Sequence, residues 1–130
     1  MPLVLDTSIL IDIERKKEKT LKKLESFTKI YPVPAKITFI NHFEFLLGIK
    51  EKEPKNREKS ISFLNNFIIL NSSRITATIL SDLKYMYDKK GINFSLTDLL
   101  IASLVIENNM ILLTKDKDFE KIEELEKIII

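Results

Sequence analysis

The sequence predicts an α/β fold in which a mainly parallel sheet of four to five short strands is flanked by helices. Short apolar runs alternate along the chain with longer segments whose apolar residues recur at helical spacing. Alternation of strands and helices favours a parallel sheet. The 130 residues, 45% of them hydrophobic and 31% charged, suit one globular domain, and no linker or repeat divides residues 1–130.

The first half of the chain predicts two strands and three helices. In order, these are a strand at residues 2–5, a helix at 6–13, a helix at 21–30, a strand at 35–39 and a helix at 41–49. Pro32 and Pro34 end the second helix, because proline disfavours helix continuation. Residues 51–59, which are charged and contain Pro54, are expected to form a surface link.

The second half continues this alternation. Its predicted elements are a helix at residues 61–68, whose end could instead be a strand at 68–70, helices at 75–91 and 95–108, a strand at 110–113, a short helix at 116–123 and an edge strand at 128–130. Ile61, Leu64, Phe67 and Ile68 are the expected buried stripe of the first helix. Residues 95–108 are apolar almost all round, which predicts a helix buried at the centre of the fold.

Charge and cysteine content restrict the function. Lysines and arginines exceed acids by only two, so any nucleic-acid binding must rest on local basic clusters. The absence of cysteine excludes disulfides and thiolate metal sites. The longest apolar runs fall well short of the ~20 residues that span a bilayer, and no leader-like segment precedes Asp6. A cytoplasmic protein with no membrane partner is therefore expected.

Carboxylates recur where a strand or loop meets a helix: Asp6, Glu44, Asp98 and Asp116, with Asp118 close behind. Each can be read as a helix cap, because Asp6 and Asp116 are at expected N-cap positions and Asn41-x-x-Glu44 and Ser95-x-x-Asp98 have capping-box form. As a group they lie beside apolar sequence, where unpaired charges are costly, so a cation is expected among them. Oxygen ligands indicate a hard ion such as Mg²⁺ or Mn²⁺.

Four stretches carry a family resemblance: Val4-Leu5-Asp6-Thr7-Ser8, Phe43-Glu44-Phe45-Leu46-Leu47-Gly48, Asp98-Leu99-Leu100-Ile101-Ala102-Ser103 and Thr114-Lys115-Asp116-Lys117-Asp118-Phe119. In this order they resemble the PIN-domain ribonucleases, above all the VapC toxins of toxin-antitoxin pairs. Each stretch is common by itself, whereas the ordered set over residues 3–119 is specific.

The resemblance implies a three-layer α/β/α sandwich and a metal-dependent endoribonuclease acting on RNA. It implies that Asp6, Glu44, Asp98 and Asp116 hold one or two Mg²⁺ or Mn²⁺ ions, with Asp118 as a weaker outer ligand. A metal would lower the pKa of its bound water and stabilise the charged transition state. A homodimer and an antitoxin partner are also expected, because the apolar stripes around residues 21–30 and 43–47 exceed what one small sheet can cover.

Smaller roles are predicted for the neighbours of these acids. Candidate substrate contacts are Thr7, Ser8, Thr114, Lys115 and Lys117. Ser8 stands where family members often have asparagine, and Thr114 would hydrogen-bond an acid or a phosphate, or would be a structural residue at the end of a strand. His42 is expected to be structural or exposed, because positions i and i+2 of a helix do not share a face. Asp12 and Glu14 are expected on the solvated side of the first helix.

Two other functions stay open. The first is a catalytically silent PIN-fold module that binds protein or RNA, with its acids retained as caps and around a structural cation. The second is a phosphatase with Asp6 as nucleophile, which is disfavoured because the haloacid-dehalogenase pattern needs a second aspartate where Ser8 stands.

Overall fold

Five short strands form one parallel sheet at the centre of the fold. The computed structural model describes residues 2–130, and its strands are β1 (Leu3–Leu5), β2 (Lys36–Thr38), β3 (Ile68–Leu70), β4 (Ile111–Thr114) and β5 (Lys127–Ile129). Their order across the sheet is β3-β2-β1-β4-β5, and each neighbouring pair is parallel. The predicted sheet of four to five strands is confirmed, and it is wholly rather than mainly parallel.

Helices cover both faces of this sheet. They are α1 (Thr7–Glu14), α2 (Glu18–Ile30), α3 (Phe39–Ile49), α4 (Pro54–Leu64), α5 (Arg74–Lys89) and α6 (Leu96–Glu107), and a 3₁₀ helix (Lys117–Lys121) follows β4. Successive strand residues point to opposite faces, so Val4 belongs to the core with α5 and α6, whereas Leu3 and Leu5 belong to the core with α1 to α4. The predicted three-layer α/β/α sandwich is therefore confirmed.

Helix α6 is buried by its neighbours, as its apolar sequence predicts. Leu99, Ala102, Leu104 and Val105 are almost fully buried. Ser103 is also buried, and its hydroxyl donates a hydrogen bond to the carbonyl oxygen of Leu99 at 2.7 Å, which satisfies the polar group. Among residues 2–130, no helix combines the length and apolar character needed to cross a bilayer.

The start of α3 differs from the prediction. The predicted strand at residues 35–39 ends at Thr38, because Thr38 is the N-cap of α3. Its Oγ1 accepts a hydrogen bond from the Asn41 backbone N at 3.1 Å, and Asn41 Oδ1 accepts one from the Thr38 backbone N at 3.1 Å. The capping box is therefore formed by Thr38 and Asn41, and the box predicted for Asn41 and Glu44 is wrong. Glu44 has no capping role.

The middle of the chain contains more regular structure than predicted. Residues 51–59 are not only a link, because α4 begins at Pro54, whose missing N–H is tolerated in the first turn of a helix. The helix ends at Leu64, and the alternative strand at residues 68–70 is confirmed as β3. The predicted buried stripe is wrong for Ile61 and Ile68, which are 42% and 60% exposed.

Helix ends in the second half largely agree with the prediction. Ser73 caps α5, and Gly91 lies just beyond the helix with a φ of 74°, a left-handed conformation that glycine adopts without a steric penalty. The short helix predicted at residues 116–123 is instead a 3₁₀ helix that ends at Lys121.

Candidate active site

The predicted acids lie near the carboxyl end of β1, at the edge of the sheet where its strand order changes direction. The chain passes from β1 to β2 on one side, while β4 lies on the other side of β1. Open α/β sheets bind ligands in the crevice outside the carboxyl ends of the strands at such a switch point. Asp6 directly follows β1, Thr38 ends β2 and Thr114 ends β4.

Asp6 is a buried carboxylate held from both sides. Its Oδ1 accepts a hydrogen bond from Asn41 Nδ2 at 3.0 Å, and its Oδ2 accepts one from Thr114 Oγ1 at 2.6 Å. Asp6 occupies the N-cap position of α1, but its side chain makes no cap hydrogen bond, so the predicted capping role is wrong. Burial raises the pKa of Asp6, and the charge of Asp116 raises it further, although hydrogen bonds from Thr114 and Asn41 offset part of this shift.

Three further carboxylates gather beside Asp6. Asp98, in the first turn of α6, and Asp116 and Asp118, after β4, each offer one oxygen, and these oxygens lie within 4.8 Å of one another. The pKa of Asp98 is raised first by burial and then by the charges of Asp116, Asp6 and Asp118. Asp118, predicted as a weaker outer ligand, therefore lies in the same group as Asp98 and Asp116.

Asp116 and Asp98 also take part in helix capping. Asp116 Oδ1 accepts a hydrogen bond from the Asp118 backbone N at 2.9 Å, which caps the 3₁₀ helix. The backbone N of Asp98 donates to Ser95 Oγ at 3.2 Å, which caps α6. Neither contact involves the second oxygen of Asp116 or the carboxylate of Asp98, so capping and ligand binding are compatible.

Glu44 reaches the same edge through a different contact. It lies on α3, is exposed, and its Oε1 accepts a hydrogen bond from Thr7 Oγ1 at 2.7 Å. It lies outside the group of three carboxylates. Asn41 Nδ2 also donates to Thr7 Oγ1, at 3.2 Å, and so links Glu44 to Asp6. Metal binding by Glu44 stays a prediction.

Asn41 connects the helix cap to the acids, a role that the sequence reasoning missed. It is fully buried, and its side chain makes four contacts. Oδ1 accepts from the backbone N and Oγ1 of Thr38, and Nδ2 donates to Asp6 and Thr7. The signal that could have found it is Thr38-x-x-Asn41 at the end of a predicted strand, which is a capping-box pattern with an amide in the third helical position.

Like Thr7, the predicted substrate contacts Thr114 and Ser8 form hydrogen bonds within the protein. Thr114 is buried, and its Oγ1 donates to Asp6 and accepts from the Asp116 backbone N at 2.9 Å. Thr114 was predicted to hydrogen-bond an acid or a phosphate or to be structural, and in the structure it hydrogen-bonds the acid Asp6. Ser8 Oγ accepts from the Lys115 backbone N at 3.4 Å.

The ammonium of Lys115 is not free beside Asp116. Lys115 Nζ lies 2.9 Å from Asp12 Oδ2 in an ion pair, and Asp12 is only 3% exposed. The expectation that Asp12 lies on the solvated side of α1 is therefore wrong. Glu14 likewise forms an ion pair, with Lys52.

A cleft of about 520 Å³ opens beside the acids. Asp98 and Asp118 line it together with Lys117, Lys121 and Phe94. Lys117 is exposed, so the predicted substrate contact that best fits this cleft is Lys117.

His42, expected to be structural or exposed, is partly buried, and its Nδ1 has no hydrogen-bond partner in the described residues.

The donor set fits a hard divalent cation. Asp6, Asp98, Asp116 and Asp118 offer carboxylate oxygens, the ligand type that Mg²⁺ and Mn²⁺ prefer. Within residues 2–130, no lysine or arginine forms an ion pair with any of the four. The raised pKa values of Asp6 and Asp98 show that their charges are not fully compensated, and a cation among them would relieve the repulsion.

Comparisons with known proteins identify the family of this chain. The family model described as PIN domain matches residues 3–125. Ribonuclease VapC from Rickettsia bellii is 32% identical over 136 residues, which span 100% of this chain and 97% of the relative. Ribonuclease VapC1 from Rickettsia felis is 31% identical over 140 residues, with the same coverage of 100% and 97%.

Solved structures share the fold. VapBC2 from Rickettsia felis, bound to a DNA fragment from their promoter, matches with a TM-score of 0.85 at 24% identity and covers 100% of this chain and 99% of that one. DNA-bound VapBC from Salmonella typhimurium matches with a TM-score of 0.82 at 18% identity, with coverage of 99% and 98%. From the family model and the two relatives, this chain belongs to the PIN domain family.

Proposed function

We propose that this chain, as a single PIN-like domain, is a metal-dependent endoribonuclease that hydrolyses RNA phosphodiester bonds with water as the nucleophile. The observation that carries the proposal is the group formed by Asp98, Asp116 and Asp118, whose oxygens lie within 4.8 Å of one another beside buried Asp6. Relatives at 31–32% identity are named ribonucleases, which supports the same activity for this chain.

One or two Mg²⁺ or Mn²⁺ ions would be held by Asp98, Asp116 and Asp118, with Asp6 and Glu44 as further oxygen ligands. When bound, such an ion supplies a nucleophile by lowering the pKa of its water toward neutrality, and it offsets the charge of the transition state. The protein holds and orients the ligands. Thr114 and Asn41 stabilise the ionised form of Asp6 by donating hydrogen bonds to its two oxygens.

Residues of the cleft suit an RNA strand. Lys117 and Lys121 line it beside Asp98 and Asp118, and both are exposed. Lysines at such a position attract the phosphates of the backbone, whose own charge would otherwise be repelled by the carboxylates. We therefore assign the phosphates on either side of the scissile bond to this cleft.

The biological role proposed is the toxin of a toxin-antitoxin pair in the cytoplasm. Solved structures that share the fold are VapBC complexes from Rickettsia felis and Salmonella typhimurium and a toxin-antitoxin complex from Klebsiella pneumoniae. On this chain, Phe43, Leu46, Leu47 and Ile61 form an exposed apolar groove of about 360 Å³ on α3 and α4. An antitoxin segment or a second copy of the chain would cover it.

Cleavage of RNA is expected to require Mg²⁺ or Mn²⁺ and to leave no 2′,3′-cyclic phosphate. Water as the nucleophile makes the 2′-hydroxyl unnecessary, so a substrate with a 2′-deoxy sugar at the mapped cut site should still be cut. The measurement is a digest of extracted tRNA and rRNA with and without EDTA, followed by analysis of the fragment ends. Binding of metal without cleavage of any RNA would contradict the proposal and favour the silent interaction module.

Stabilisation by metal is expected to increase as pH rises. Burial and neighbouring carboxylates raise the folded-state pKa values of Asp6 and Asp98 above 3.8, the ordinary value of an aspartate. Between 3.8 and these raised values the metal-free fold retains protons that the unfolded chain has lost. Their contribution to stability is therefore complete below 3.8 and is lost as pH rises through the raised pKa values. A cation binds the ionised carboxylates, so acid opposes its binding.

The measurement is the melting temperature from pH 4.5 to pH 8, with MnCl₂ or with NaCl of equal ionic strength. The difference between the two salts should grow as pH rises and then reach a plateau. A difference that is the same at every pH would show that the bound ion does not compete with protons on these acids.

A further inference from the structure

Asp12 is a buried charge on α1, six residues after Asp6, that the proposed chemistry does not use. Its Oδ2 accepts hydrogen bonds from Thr20 Oγ1 at 2.6 Å and from Lys115 Nζ at 2.9 Å, and Lys17 Nζ lies 3.9 Å from its Oδ1. Burial raises the pKa of Asp12, but hydrogen bonds from Thr20 and Lys115, together with the charges of Lys115 and Lys17, outweigh burial and lower it. Asp12 is therefore ionised at neutral pH.

A gain in the stability of the fold is a weak explanation for the ion pair of Asp12 and Lys115. Asp12 is almost fully buried, but the side chain of Lys115 is 40% exposed, so solvent screens the attraction between the two charges. Ion pairs that are screened in this way contribute little to stability. The hydrogen bond from Lys115 to Asp12 does, however, fix the position of the Lys115 side chain.

Lys115 directly precedes Asp116 in the segment that carries two of the three grouped carboxylates, Asp116 and Asp118. Thr114 Oγ1 donates to Asp6, the Lys115 backbone N donates to Ser8 Oγ at 3.4 Å, and the Lys115 ammonium donates to Asp12. These three contacts tie Thr114, the last residue of β4, and Lys115 to the β1–α1 unit. The Asp116 backbone N then donates to Thr114 Oγ1, so the position of Asp116 follows from the same set of contacts.

We infer that Asp12, Thr20 and Lys115 are positioning residues that hold Asp116 in the place where it binds metal. The inference rests on the proposed function, because it takes Asp116 as a metal ligand. Metal sites require their ligands to be held within about 0.5 Å of the productive geometry. The loop after β4 can meet that requirement because Lys115 is held at its backbone N and at its ammonium. In this arrangement Lys115 serves the metal site and is not a direct contact to RNA.

The test replaces one partner at a time and measures metal binding without RNA. Lys115→Met removes the ammonium and keeps an unbranched side chain, and Asp12→Asn removes the charge of its partner. In each variant the Kd for Mn²⁺, measured by calorimetry, is expected to rise about 10- to 100-fold, as for other residues that orient metal ligands. The KM for RNA at saturating Mn²⁺ should stay unchanged, and Lys115→Arg should recover most of the Mn²⁺ affinity.

A matched control is available on the same helix. Lys52→Met removes the ion pair with Glu14, which lies two residues beyond Asp12 and contacts no residue of the segment 114–116 in the described contacts. Its Kd for Mn²⁺ should equal that of the wild type even if its melting temperature falls. Should Lys115→Met fail to fold, Thr20→Val removes one hydrogen bond from Asp12 and should raise the Kd in the same direction by a smaller factor.

Unchanged Mn²⁺ affinity in folded Lys115→Met, Asp12→Asn or Thr20→Val would overturn the inference. A raised KM for RNA with unchanged Mn²⁺ affinity would also overturn it, and would make Lys115 an RNA contact. A wild-type protein that binds no Mn²⁺ would instead overturn the proposed function, and the inference with it. The two failures are distinguishable because the second appears before any variant is made.

Discussion

Asp98→Asn is expected to abolish metal-dependent RNA cleavage and to raise the melting temperature of the metal-free protein at neutral pH. The carboxylate of Asp98 lies with those of Asp116 and Asp118 in the proposed metal site. Residues that only orient metal ligands typically contribute 10- to 100-fold to metal affinity or activity, so loss of a direct ligand should reduce cleavage by at least about 100-fold. The melting temperature should rise because burial and three negative neighbours already disfavour the ionised form of Asp98.

These two opposite effects separate a metal ligand from a structural residue. Activity is measured as initial rates of cleavage across a range of MnCl₂ concentrations, and stability is measured in EDTA. Asp82→Asn, at an exposed position on α5, makes the same change of charge away from the site and should alter neither quantity. Wild-type cleavage by Asp98→Asn, or a fall in the melting temperature of its metal-free form, would refute the assignment of Asp98.

Asn41→Asp is expected to destabilise the metal-free protein by about 3–5 kcal/mol at neutral pH, the range typical of an uncompensated buried charge. An aspartate has the size of asparagine and could still accept the hydrogen bonds from Thr38. Its second oxygen would replace the amide that donates to Asp6 at 3.0 Å. Two buried carboxylates would then face each other. A shared proton would relieve their repulsion, so the loss of stability should be much smaller in acid.

Denaturant unfolding at pH 4.5 and pH 7.5 measures this effect. Asn71→Asp is the matched control, because Asn71 is exposed in the loop between β3 and α5 and undergoes the same chemical change. Exposed substitutions usually alter stability by less than about 0.5 kcal/mol. A change of that size in Asn41→Asp at pH 7.5 would show that Asn41 does not couple the cap of α3 to Asp6.

The layered fold follows from patterns that act over a few residues. An apolar run on every side of α6 predicts its burial, because a helix that is apolar all round has no face to present to water. Strands that alternate with helices predict a parallel sheet, and acids that follow strands are then expected at the same edge. Asp6, Asp98 and Asp116 could be chosen as candidates by this reasoning, together with the family resemblance.

Capping was predicted less well, since two overlapping patterns compete at α3. Asn41-x-x-Glu44 and Thr38-x-x-Asn41 both have the polar residues that a box requires, and the helix start decides between them. In the structure α3 begins at Phe39, directly after β2, so Asn41 takes the third helical position. The helix cap thus lies three residues earlier than in the predicted box. Glu44 accepts a hydrogen bond from Thr7, and Asn41 donates one to Asp6.

By itself the sequence determined most of the elements and the central position of α6, because burial periodicity and turn chemistry depend on neighbouring residues. Together with the family resemblance, it also provided the candidate acids. Only the tertiary structure decided which polar and charged side chains contact one another. Thr114 bonds Asp6 across 108 positions of sequence, and Lys115 bonds Asp12 across 103. Both contacts exist because β4 pairs with β1 and brings the end of the chain beside α1. From the sequence alone, Asp12 on α1 is expected to face solvent, because its partner Lys115 is brought beside it only by the order of the strands in the sheet.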